Sequence, residues 1–319
     1  MKKTVALVLG SGAARGNAHI GVIQALEDRG YEIVSVSGCS IGAIIGGVFA
    51  TGKLEEYKEW AESLDKVGVL RLLDMSLFNG GYIKGDRFFE KIQNIIGSPD
   101  IESLSIDFTS VAVDLLNQKE FWFQRGDLLN AMRASSAIPS IVSPVAVDGR
   151  MYVDGGVLNP LPITPSVSAN ADYIIAVDLN GPAQDVLEKM SSDDLEDKDN
   201  SPAWWSNAKS NAKELFNKVK DNDDEEAEKP QYTVESESWG RFETINMMFE
   251  TMQESLTQYK LAGYPPDLLI SIPKDISGFY EFWKAKELID FGYEVTQKAI
   301  DDLESPSANY YTFPKGYKS

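Results

Sequence analysis

The sequence of 319 residues predicts an α/β fold, in which a central, mostly parallel sheet carries helices on both faces. Two observations support this fold class. The short apolar runs at 4–9 and 33–37 lack the alternation of a half-exposed strand, as is typical of parallel strands buried on both faces. Each run is followed by a segment of helical pattern, at 17–27 and 41–50, which is the order of strand–helix–strand units. A chain of this length can bury the core of one such layered domain.

The remaining elements follow in order along the chain. The stretch 53–97 is mostly helical in pattern, and strands at 108–116 and 120–124 can pair around the polar turn 117–119. Further expected elements are a helix at 127–135, strands at 150–156, 172–179 and 267–273, and a closing helix at 284–303. Apolar residues at helical spacing mark one face of another helix: Ile245, Met248, Phe249, Met252, Leu256 and Tyr259. We expect a single domain over 1–319, with its core at about 4–180 and 240–304 and a C-terminal tail at 305–319.

Residues 181–238 differ in composition from the rest of the chain. They hold 16 acidic and 7 basic residues, so their net charge of −9 is close to half of the −19 of the whole chain. Acidic runs of this kind are normally solvated. We therefore expect a long, acidic and partly mobile insertion into the domain.

Within this insertion, segment 203–220 has the pattern of an amphipathic helix. It carries four lysines against Glu214, and its apolar residues recur at three- and four-residue spacing: Trp204, Ala208, Ala212, Leu215 and Val219. Tryptophan and lysine are typical of helices at a lipid interface, so one interpretation is a lid or docking helix that makes peripheral membrane contact. The other interpretation is a helix packed permanently on the protein's own surface.

Charge and cysteine content limit the partners and the compartment. A net charge of −19 disfavours binding to nucleic acid and to anionic lipid. Cys39 is the single cysteine, which excludes an intrachain disulfide and favours a reducing compartment. The N-terminal apolar run is too short for a signal sequence, and no stretch approaches the roughly 18 apolar residues of a membrane-spanning helix. We therefore expect a cytoplasmic protein. We also expect no metal or cofactor, since the acidic runs do not fit a calcium-binding loop. Its oligomeric state stays open, a homo-oligomer included.

Residues 38–42, Gly-Cys-Ser-Ile-Gly, have the form G-x-S-x-G and lie between a predicted strand and a predicted helix. In a nucleophile elbow this pattern holds a serine on a tight strand-to-helix turn, where small neighbours such as Gly38 and Gly42 let the backbone pack closely. Ser40 would then sit at a helix N-terminus, whose dipole and free N–H groups favour developing negative charge. A chance match is the alternative, but the strand–turn–helix context favours a nucleophile.

A glycine-rich loop, Gly-Ser-Gly-Ala-Ala-Arg-Gly at 10–16, also follows a strand and precedes a helix. A nucleotide-phosphate loop is one interpretation, but the spacing G-x-G-x-x-G requires a glycine where Arg15 stands. The other interpretation is an oxyanion hole, in which backbone N–H groups stabilise a tetrahedral intermediate. Both this loop and residues 38–42 leave the carboxyl ends of early strands, where open α/β sheets place their sites. We therefore favour the oxyanion hole over a purely structural turn.

The base that would take the Ser40 proton is not evident from the elbow alone. His19 is the only histidine, but it lies about one turn into a helix between apolar neighbours, which is typical of a packed core residue. Asp154 stands just after a predicted strand, and Gly155 and Gly156 allow the chain to turn sharply there. From its position alone, Asp154 is either a catalytic carboxylate or part of a simple Asx turn.

Four stretches, taken together, carry a resemblance to a known family. The runs LVLGSGAARGNAHIGVIQAL, SGCSIGA, AMRASSAIPSIVSPV and DGRMYVDGGVLNPLP resemble, in order and spacing, those of patatin-like phospholipases, above all the short bacterial members. The resemblance covers about 4–180 and, more loosely, 240–304. It implies a three-layer patatin-like sandwich and a Ser–Asp dyad without a catalytic histidine. Ser40 would be the nucleophile and Asp154, in the family's D-G-G/A motif, its base.

The glycine-rich loop departs from the family pattern. Family members usually have G-G-G-x-R/K-G, whereas residues 11–16 are Ser-Gly-Ala-Ala-Arg-Gly. The resemblance places the oxyanion donors at Gly12 and Ala13. Alanine keeps its N–H, but a positive φ becomes costly there. Arg15 matches the family's arginine and would support the loop, an ordinary ion pair being the alternative. Cys39, next to the nucleophile, is expected to be shielded and without a catalytic role.

The resemblance implies hydrolysis of an acyl ester of a phospholipid, a lysophospholipid or a related lipid, through an acyl-Ser40 intermediate. An ordinary aspartate is a poor base at neutral pH because its pKa is about 3.9, so Asp154 must be desolvated and in contact with the serine. Two alternatives stay open. One is a non-catalytic lipid-binding or regulatory module, and the other is an acyltransferase that uses the same acyl-enzyme.

Overall fold

The computed structural model describes residues 2–72, 85–139, 141–183 and 241–305. The amphipathic segment predicted at 203–220 lies outside these residues, and so do nearly all of the acidic insertion and of the C-terminal tail. The lid or docking role of that segment therefore stays a prediction.

Eight strands in the described residues form one mixed sheet. They are β1 Thr4–Leu9, β2 Glu32–Cys39, β3 Asp107–Asp114, β4 Lys119–Phe123, β5 Val145–Val147, β6 Arg150–Asp154, β7 Tyr173–Gly181 and β8 Leu268–Pro273. The sheet order is β5-β6-β3-β2-β1-β7-β8, and β4 also pairs with β3. The run β3-β2-β1-β7-β8 is parallel, whereas β4, β5 and β6 join it in antiparallel pairs. The mostly parallel central sheet and the β3–β4 hairpin that the sequence predicts are confirmed.

Helices alternate with these strands along the described chain. They are α1 Ala18–Asp28, α2 Ile41–Ala50, α3 Leu54–Glu62, α4 Lys66–Leu72, α5 Asp86–Ile96, α6 Leu128–Ser135, α7 Arg241–Gly263 and α8 Ala285–Glu304. Helices α1, α2, α6 and α8 begin and end within one residue of their predicted bounds. Strand β5 and the 3₁₀ turn Ala13–Asn17 are absent from the sequence prediction, because the strand has only three residues and the turn arises inside the glycine-rich loop. Among the described helices, none combines the length and the apolar character needed to cross a membrane.

Both faces of the central strands are covered. Every second residue of β1 from Val5 to Leu9 belongs to a large core cluster that includes α1, α2 and α8. The intervening Val8 belongs to a second cluster, which Leu161 and Leu261 of α7 help to close. Because alternate residues of a strand point to opposite faces, the two clusters lie on opposite sides of the sheet. The continuous apolar runs of the sequence thus correspond to strands buried between two outer layers.

Helices α1 and α8 touch through their backbones. A Cβ added at Gly21 would lie inside 3.0 Å of the backbone of Ile289 and Tyr293, and one at Gly292 would lie inside 3.0 Å of the backbone of Ala18. No side chain separates the helices at this crossing. The contact fixes the start of α1, and with it the glycine-rich loop that precedes the helix.

We predict that Gly21→Ala lowers the free energy of unfolding by about 2 kcal/mol or more, because the new methyl group overlaps the backbone of α8. In an unobstructed helix the same exchange stabilises by about 0.5–1 kcal/mol. Gly263→Ala is the matched control, since a Cβ at the end of α7 meets nothing. Denaturant unfolding of both variants measures the difference, and equal stability of the two would contradict this packing.

Candidate active site

Strand pairing brings Ser40 and Asp154 together. Strands β2 and β6 pair with the same edge of β3, because β4 occupies the other edge over 110–114. In this register Cys39 is opposite Val111, and Asp154 is opposite Ala112. Since β2 runs parallel to β3 and β6 antiparallel, their carboxyl ends meet at consecutive residues of β3. Ser40 follows directly after β2 and therefore lies beside Asp154.

Ser40 has the strained backbone of a nucleophile elbow. Its φ of 56° and ψ of −123° fall in a region that costs a residue other than glycine about 1–3 kcal/mol. A Cβ at Gly38 would lie inside 3.0 Å of the backbone in the first turn of α2, and a Cβ at Gly42 would come equally close to the carbonyl groups of Leu9 and Gly10. Larger residues do not fit at these two positions without a shift of the backbone. The tight strand-to-helix turn that the sequence predicts is therefore formed.

Ser135 holds this turn through two hydrogen bonds. The Ser40 N–H donates to Ser135 Oγ at 2.9 Å, and the Ser135 hydroxyl donates to the Val111 carbonyl at 2.6 Å. The last residue of α6 thus links the elbow to β3. No spacing signal points to Ser135, because its contact with Ser40 arises only when α6 packs against the sheet. It lies in the run AMRASSAIPSIVSPV, which contributes to the family resemblance.

Asp154 is fully buried and uses its two carboxylate oxygens differently. Oδ1 accepts the Gly156 N–H at 2.7 Å and lies 3.9 Å from Cys39 Sγ, a weak donor. Oδ2 is buried without a hydrogen-bond partner in the described part of the chain. The Asx turn and the available carboxylate oxygen, which the sequence presents as alternatives, therefore coexist.

Burial raises the pKa of Asp154 to about 6, and the Ser40 hydroxyl, the Gly156 N–H and the Cys39 thiol oppose that rise. The interaction with Ser40 falls outside strict hydrogen-bond geometry, since no donor among the described residues reaches Oδ2. Catalytic pairs often tighten only when the reacting group is in place. A carboxylate that is desolvated and close to the serine is what a Ser–Asp dyad requires.

Gly155 and Gly156 fit closely into the turn after β6. A Cβ at Gly155 would lie inside 3.0 Å of the Val111 carbonyl group, and one at Gly156 would overlap the side chain of Gln253. Gln253 belongs to α7, and its Oε1 accepts the Ser11 hydroxyl at 3.0 Å. Helix α7 thus packs on both the turn that follows Asp154 and the glycine-rich loop.

The glycine-rich loop carries backbone strain at its alanine. Ala13 has a positive φ of 49°, whereas Gly12 has an extended φ of 164° that any residue adopts. The costly position is therefore one of the two, Ser11 and Ala13, at which the loop departs from the family pattern. The N–H groups of Gly12 and Ala13 donate to no acceptor in the described part of the chain. Both residues line one cavity with Ser40 and Asp154, so two backbone donors are available beside the serine.

Arg15 is buried and ties the loop to three other elements. Its guanidinium donates to Asn180 Oδ1 at 2.9 Å, to the Lys274 carbonyl at 3.1 Å and to Glu250 Oε1 at 3.2 Å. These partners lie in β7, after β8 and in α7. The ion pair that the sequence offers as an alternative does form, with Glu250, but it is part of this buried anchor of the loop.

His19 and Cys39 are buried and do not line the cavity that Ser40 and Asp154 share. The His19 Nε2–H donates to the Gly10 carbonyl at 2.9 Å, because a carbonyl can only accept. Burial lowers the pKa of His19 to about 4, so the ring is neutral at pH 7. Burial, together with the charge of Asp154, raises the pKa of the Cys39 thiol. The expected shielding of Cys39 is confirmed, and His19 supports the glycine-rich loop.

Two cavities meet at Ser40. The Ser40 cavity contains Gly12, Ala13, Asp154 and Gln253. The apolar cavity has a volume of about 930 Å³ including its open mouth, and its walls are almost entirely apolar, with contributions from Ile44, Trp60, Leu64, Phe88 and Ile141. The described residues contain no group of three or more His, Cys, Asp or Glu side chains that could hold a metal ion.

Serine hydrolases of the α/β type hold their nucleophile in this way, on a strained turn at the carboxyl end of a sheet strand. Comparison with known proteins narrows the class. The family model of patatin-like phospholipases matches residues 7–167. The chain belongs to this family, which supports lipid hydrolysis as its general type of activity.

Several relatives of the chain carry NTE or patatin-like phospholipase in their names. An uncharacterized NTE family protein of Mycobacterium tuberculosis is 40% identical, over 95% of this chain and 94% of its own length. Human patatin-like phospholipase domain-containing protein 6 is 31% identical over 63% of this chain, which corresponds to 15% of that protein. Lysophospholipase NTE1 of Debaryomyces hansenii is 32% identical over 56% of this chain and 12% of its own length.

A solved structure is similar in fold. VipD of Legionella pneumophila superposes with a TM-score of 0.50 over 94% of this chain and 67% of its own, at 15% sequence identity. At that identity the likeness concerns the fold alone. It agrees with the α/β sandwich described above.

We predict that Ser135→Ala destabilises the protein by about 1–3 kcal/mol, because the Ser40 N–H loses its acceptor and the Val111 carbonyl loses its donor inside the core. Ser136→Ala is the matched control, since the Ser136 hydroxyl donates only to carbonyls of the neighbouring α6, those of Met132 and Arg133. That variant should cost well under about 1 kcal/mol. Thermal unfolding of the two variants compares them, and an equally stable pair would show that Ser135 does not hold the elbow.

Proposed function

We propose that this chain is a serine acyl-ester hydrolase of the phospholipase A, lysophospholipase or esterase type, acting through a Ser40–Asp154 dyad. One observation carries the proposal: a strained serine meets a buried carboxylate whose Oδ2 has no partner in the described residues. Membership in the patatin-like phospholipase family supports a lipid ester as the substrate. The name of the Debaryomyces relative, a lysophospholipase, supports the same class.

In the acylation step, Ser40 Oγ attacks the carbonyl carbon of the ester while its proton passes to Asp154 Oδ2. The carbonyl oxygen becomes an oxyanion, for which the Gly12 and Ala13 N–H groups are the available donors. The N-terminus of α2 adds a favourable dipole. When the tetrahedral intermediate collapses, the ester C–O bond breaks and Asp154 returns the proton to the leaving alcohol. The acyl group stays on Ser40 as a new ester.

In the deacylation step, water attacks the carbonyl carbon of acyl-Ser40 and gives a proton to Asp154. The second tetrahedral intermediate then releases the fatty acid, and the proton returns to Ser40 Oγ. An alcohol or a thiol in place of water would complete an acyl transfer instead. Product analysis separates these two reactions.

The electrostatics of Asp154 suit this role. Burial raises its pKa from the ordinary 3.8 to about 6, so it is a stronger base than a free aspartate and is still mostly ionised at pH 7. His19, with its pKa lowered to about 4, is a weaker base than Asp154 and bonds to Gly10. The carboxylate is therefore the better proton acceptor.

The apolar cavity supports a long acyl chain as part of the substrate. It begins at Ser40, and Trp60, Leu64 and Phe88 contribute to its apolar walls. An acyl chain bound there is removed from water, which contributes about 0.8 kcal/mol for each buried methylene group. The ester carbonyl would then lie at the junction of the two cavities, next to the nucleophile.

We predict that Ser40→Ala and Asp154→Asn each abolish hydrolysis of a short p-nitrophenyl ester, because one removes the nucleophile and the other the base. A fluorophosphonate probe should label wild type at Ser40, which peptide mass spectrometry locates. A lipid extract incubated with wild type and with Ser40→Ala, followed by mass spectrometry, then identifies the products and shows whether water or another acceptor takes the acyl group.

His19→Gln is the matched control for the dyad. Glutamine can still donate a hydrogen bond to the Gly10 carbonyl but cannot act as a general base. The folded variant should keep most of the esterase activity. A well-folded His19→Gln protein as inactive as Ser40→Ala would overturn the dyad, and an unlabelled Ser40 would favour a passive lipid-binding module.

We predict that kcat/KM for a soluble ester rises as the pH increases through about 6 and levels off above about 7, because Asp154 must be ionised to accept the proton. Asp178 is a buried carboxylate whose pKa burial also raises to about 6, so it provides the control. Asp178→Asn should keep the same pH dependence of the rate. If the transition near pH 6 disappears in that variant, the profile does not report on Asp154.

We predict that the contribution of Asp154 to the free energy of unfolding falls over the pH range in which kcat/KM rises. Folding raises the pKa of Asp154, so the folded state binds its proton more tightly than the unfolded state does. Its contribution to stability is fully present below about pH 4 and is lost as the pH rises through about 6. Denaturant unfolding at several pH values measures this trend.

A further inference from the structure

Helix α7 carries many of its apolar residues on the outside. Met248 is 60% exposed and Tyr259 is 75% exposed, and Ile245 and Met252 are exposed on the same side. The helix that the sequence predicts here is confirmed, but most of its apolar face points away from the core. The inward face is mixed, because the polar residues Gln253 and Thr257 are buried against the rest of the protein together with Leu261.

Few charged side chains lie on the outward side of α7 within the part of the helix whose side chains the structure describes. Between residues 244 and 263 the helix has three charged residues, and each is engaged in a salt bridge: Glu250 with Arg15, Glu254 with Lys274, and Lys260 with Glu120. We define the α7 face as the uncharged exposed residues between 245 and 259: Ile245, Met247, Met248, Thr251, Met252, Ser255, Gln258 and Tyr259. One quarter of the whole chain is charged, so an uncharged surface of this length stands out from its composition.

The α7 face lies next to the candidate active site. Phe249, Glu250 and Gln253, on the other side of the same helix, line the Ser40 cavity. An α-helix is about 10–12 Å across with its side chains, so the α7 face and the Ser40 cavity are one helix diameter apart. A surface that bound the α7 face would be held beside the position of the ester.

We propose that the α7 face docks the protein on a zwitterionic lipid surface, an inference that rests on the proposed lipid-ester hydrolysis. Flexible methionines adapt to an irregular apolar surface, and tyrosine suits the boundary between hydrocarbon and water. The whole chain has a net charge of −19, which opposes both an anionic membrane and the close approach of a second copy. An uncharged bilayer surface is the occupant that matches both the uncharged face and the acidic body. This face is distinct from segment 203–220.

The test measures binding of the full chain to phosphatidylcholine vesicles by sedimentation. All proteins carry Ser40→Ala, so that binding is read without hydrolysis and separately from the proposed activity. Substituting M248S/M252S should lower the vesicle-bound fraction at least tenfold. The matched control is L116S/V167S, which removes two apolar side chains of similar exposure from other elements and should bind as the parent does.

Salt and lipid composition sharpen the test. Binding to phosphatidylcholine should change little between about 0.05 and 0.5 M salt, because no charge on the α7 face takes part. Added phosphatidylserine should weaken it. M248S/M252S and L116S/V167S are also made with Ser40 intact. Circular dichroism and esterase activity of these proteins check that each variant is folded.

Three outcomes would overturn the proposal. The parent protein could fail to bind the vesicles, or M248S/M252S could bind as well as the parent. Light scattering after size exclusion could also show a dimer that M248S/M252S converts to monomer, which would assign the α7 face to a second copy. If the vesicles bind as expected while Ser40 stays unlabelled by fluorophosphonate, docking stands and the hydrolase assignment fails.

Discussion

Two consecutive residues of β3, Val111 and Ala112, determine the geometry of the whole site. Strand β2 ends opposite the first and β6 ends opposite the second, so Ser40 and Asp154, the proposed nucleophile and base, meet at one point of the sheet. Val111 also accepts the hydroxyl of Ser135 and lies against Gly155. The turn after β6 and the end of α6 therefore both contact the Val111 carbonyl group, and the elbow is linked to it through Ser135. A displacement of β3 would carry all of them together.

Burial has opposite effects on the two candidate bases. It raises the pKa of Asp154 and lowers that of His19, because in each case the low-dielectric interior favours the neutral form. Burial therefore makes the aspartate a stronger base and the histidine a weaker one. Backbone strain also occurs at the site, since Ser40 and Ala13 have positive φ; the other two described residues apart from glycine with positive φ, Gln118 and Asp148, lie in hairpin turns. The close packing of Gly38, Gly42 and their neighbours holds these unfavourable conformations in place.

Local patterns predict much of this structure, and long-range pairing decides the rest. The elbow at Ser40 and the β3–β4 hairpin follow from motifs a few residues long, and the cost at Ala13 follows from one departure in the glycine-rich loop. Other features join distant parts of the chain, namely the register of β6 on β3 and the contact of Ser135 with Ser40. No spacing of residues in the sequence predicts them. The apolar spacing of α7 predicts a helix correctly, but periodicity alone does not say which side faces the core. That orientation depends on partners in other elements, such as the buried Arg15, which pairs with Glu250 of the helix.

Much of the apolar cavity comes from a part of the chain separate from the reactive groups, although Ile138, Ile141 and Phe279 also line it. Tyr57, Trp60, Leu64, Phe88 and Phe89 all belong to the long crossover that connects β2 to β3, whereas the serine, the aspartate and the glycine-rich loop are fixed at strand ends. Different side chains in this crossover would change the volume of the cavity, and with it the acyl chain that fits. The reacting atoms would stay where they are. Among relatives, substrate range can therefore diverge by substitutions within one continuous stretch of the gene, while the chemistry is inherited unchanged from the sheet.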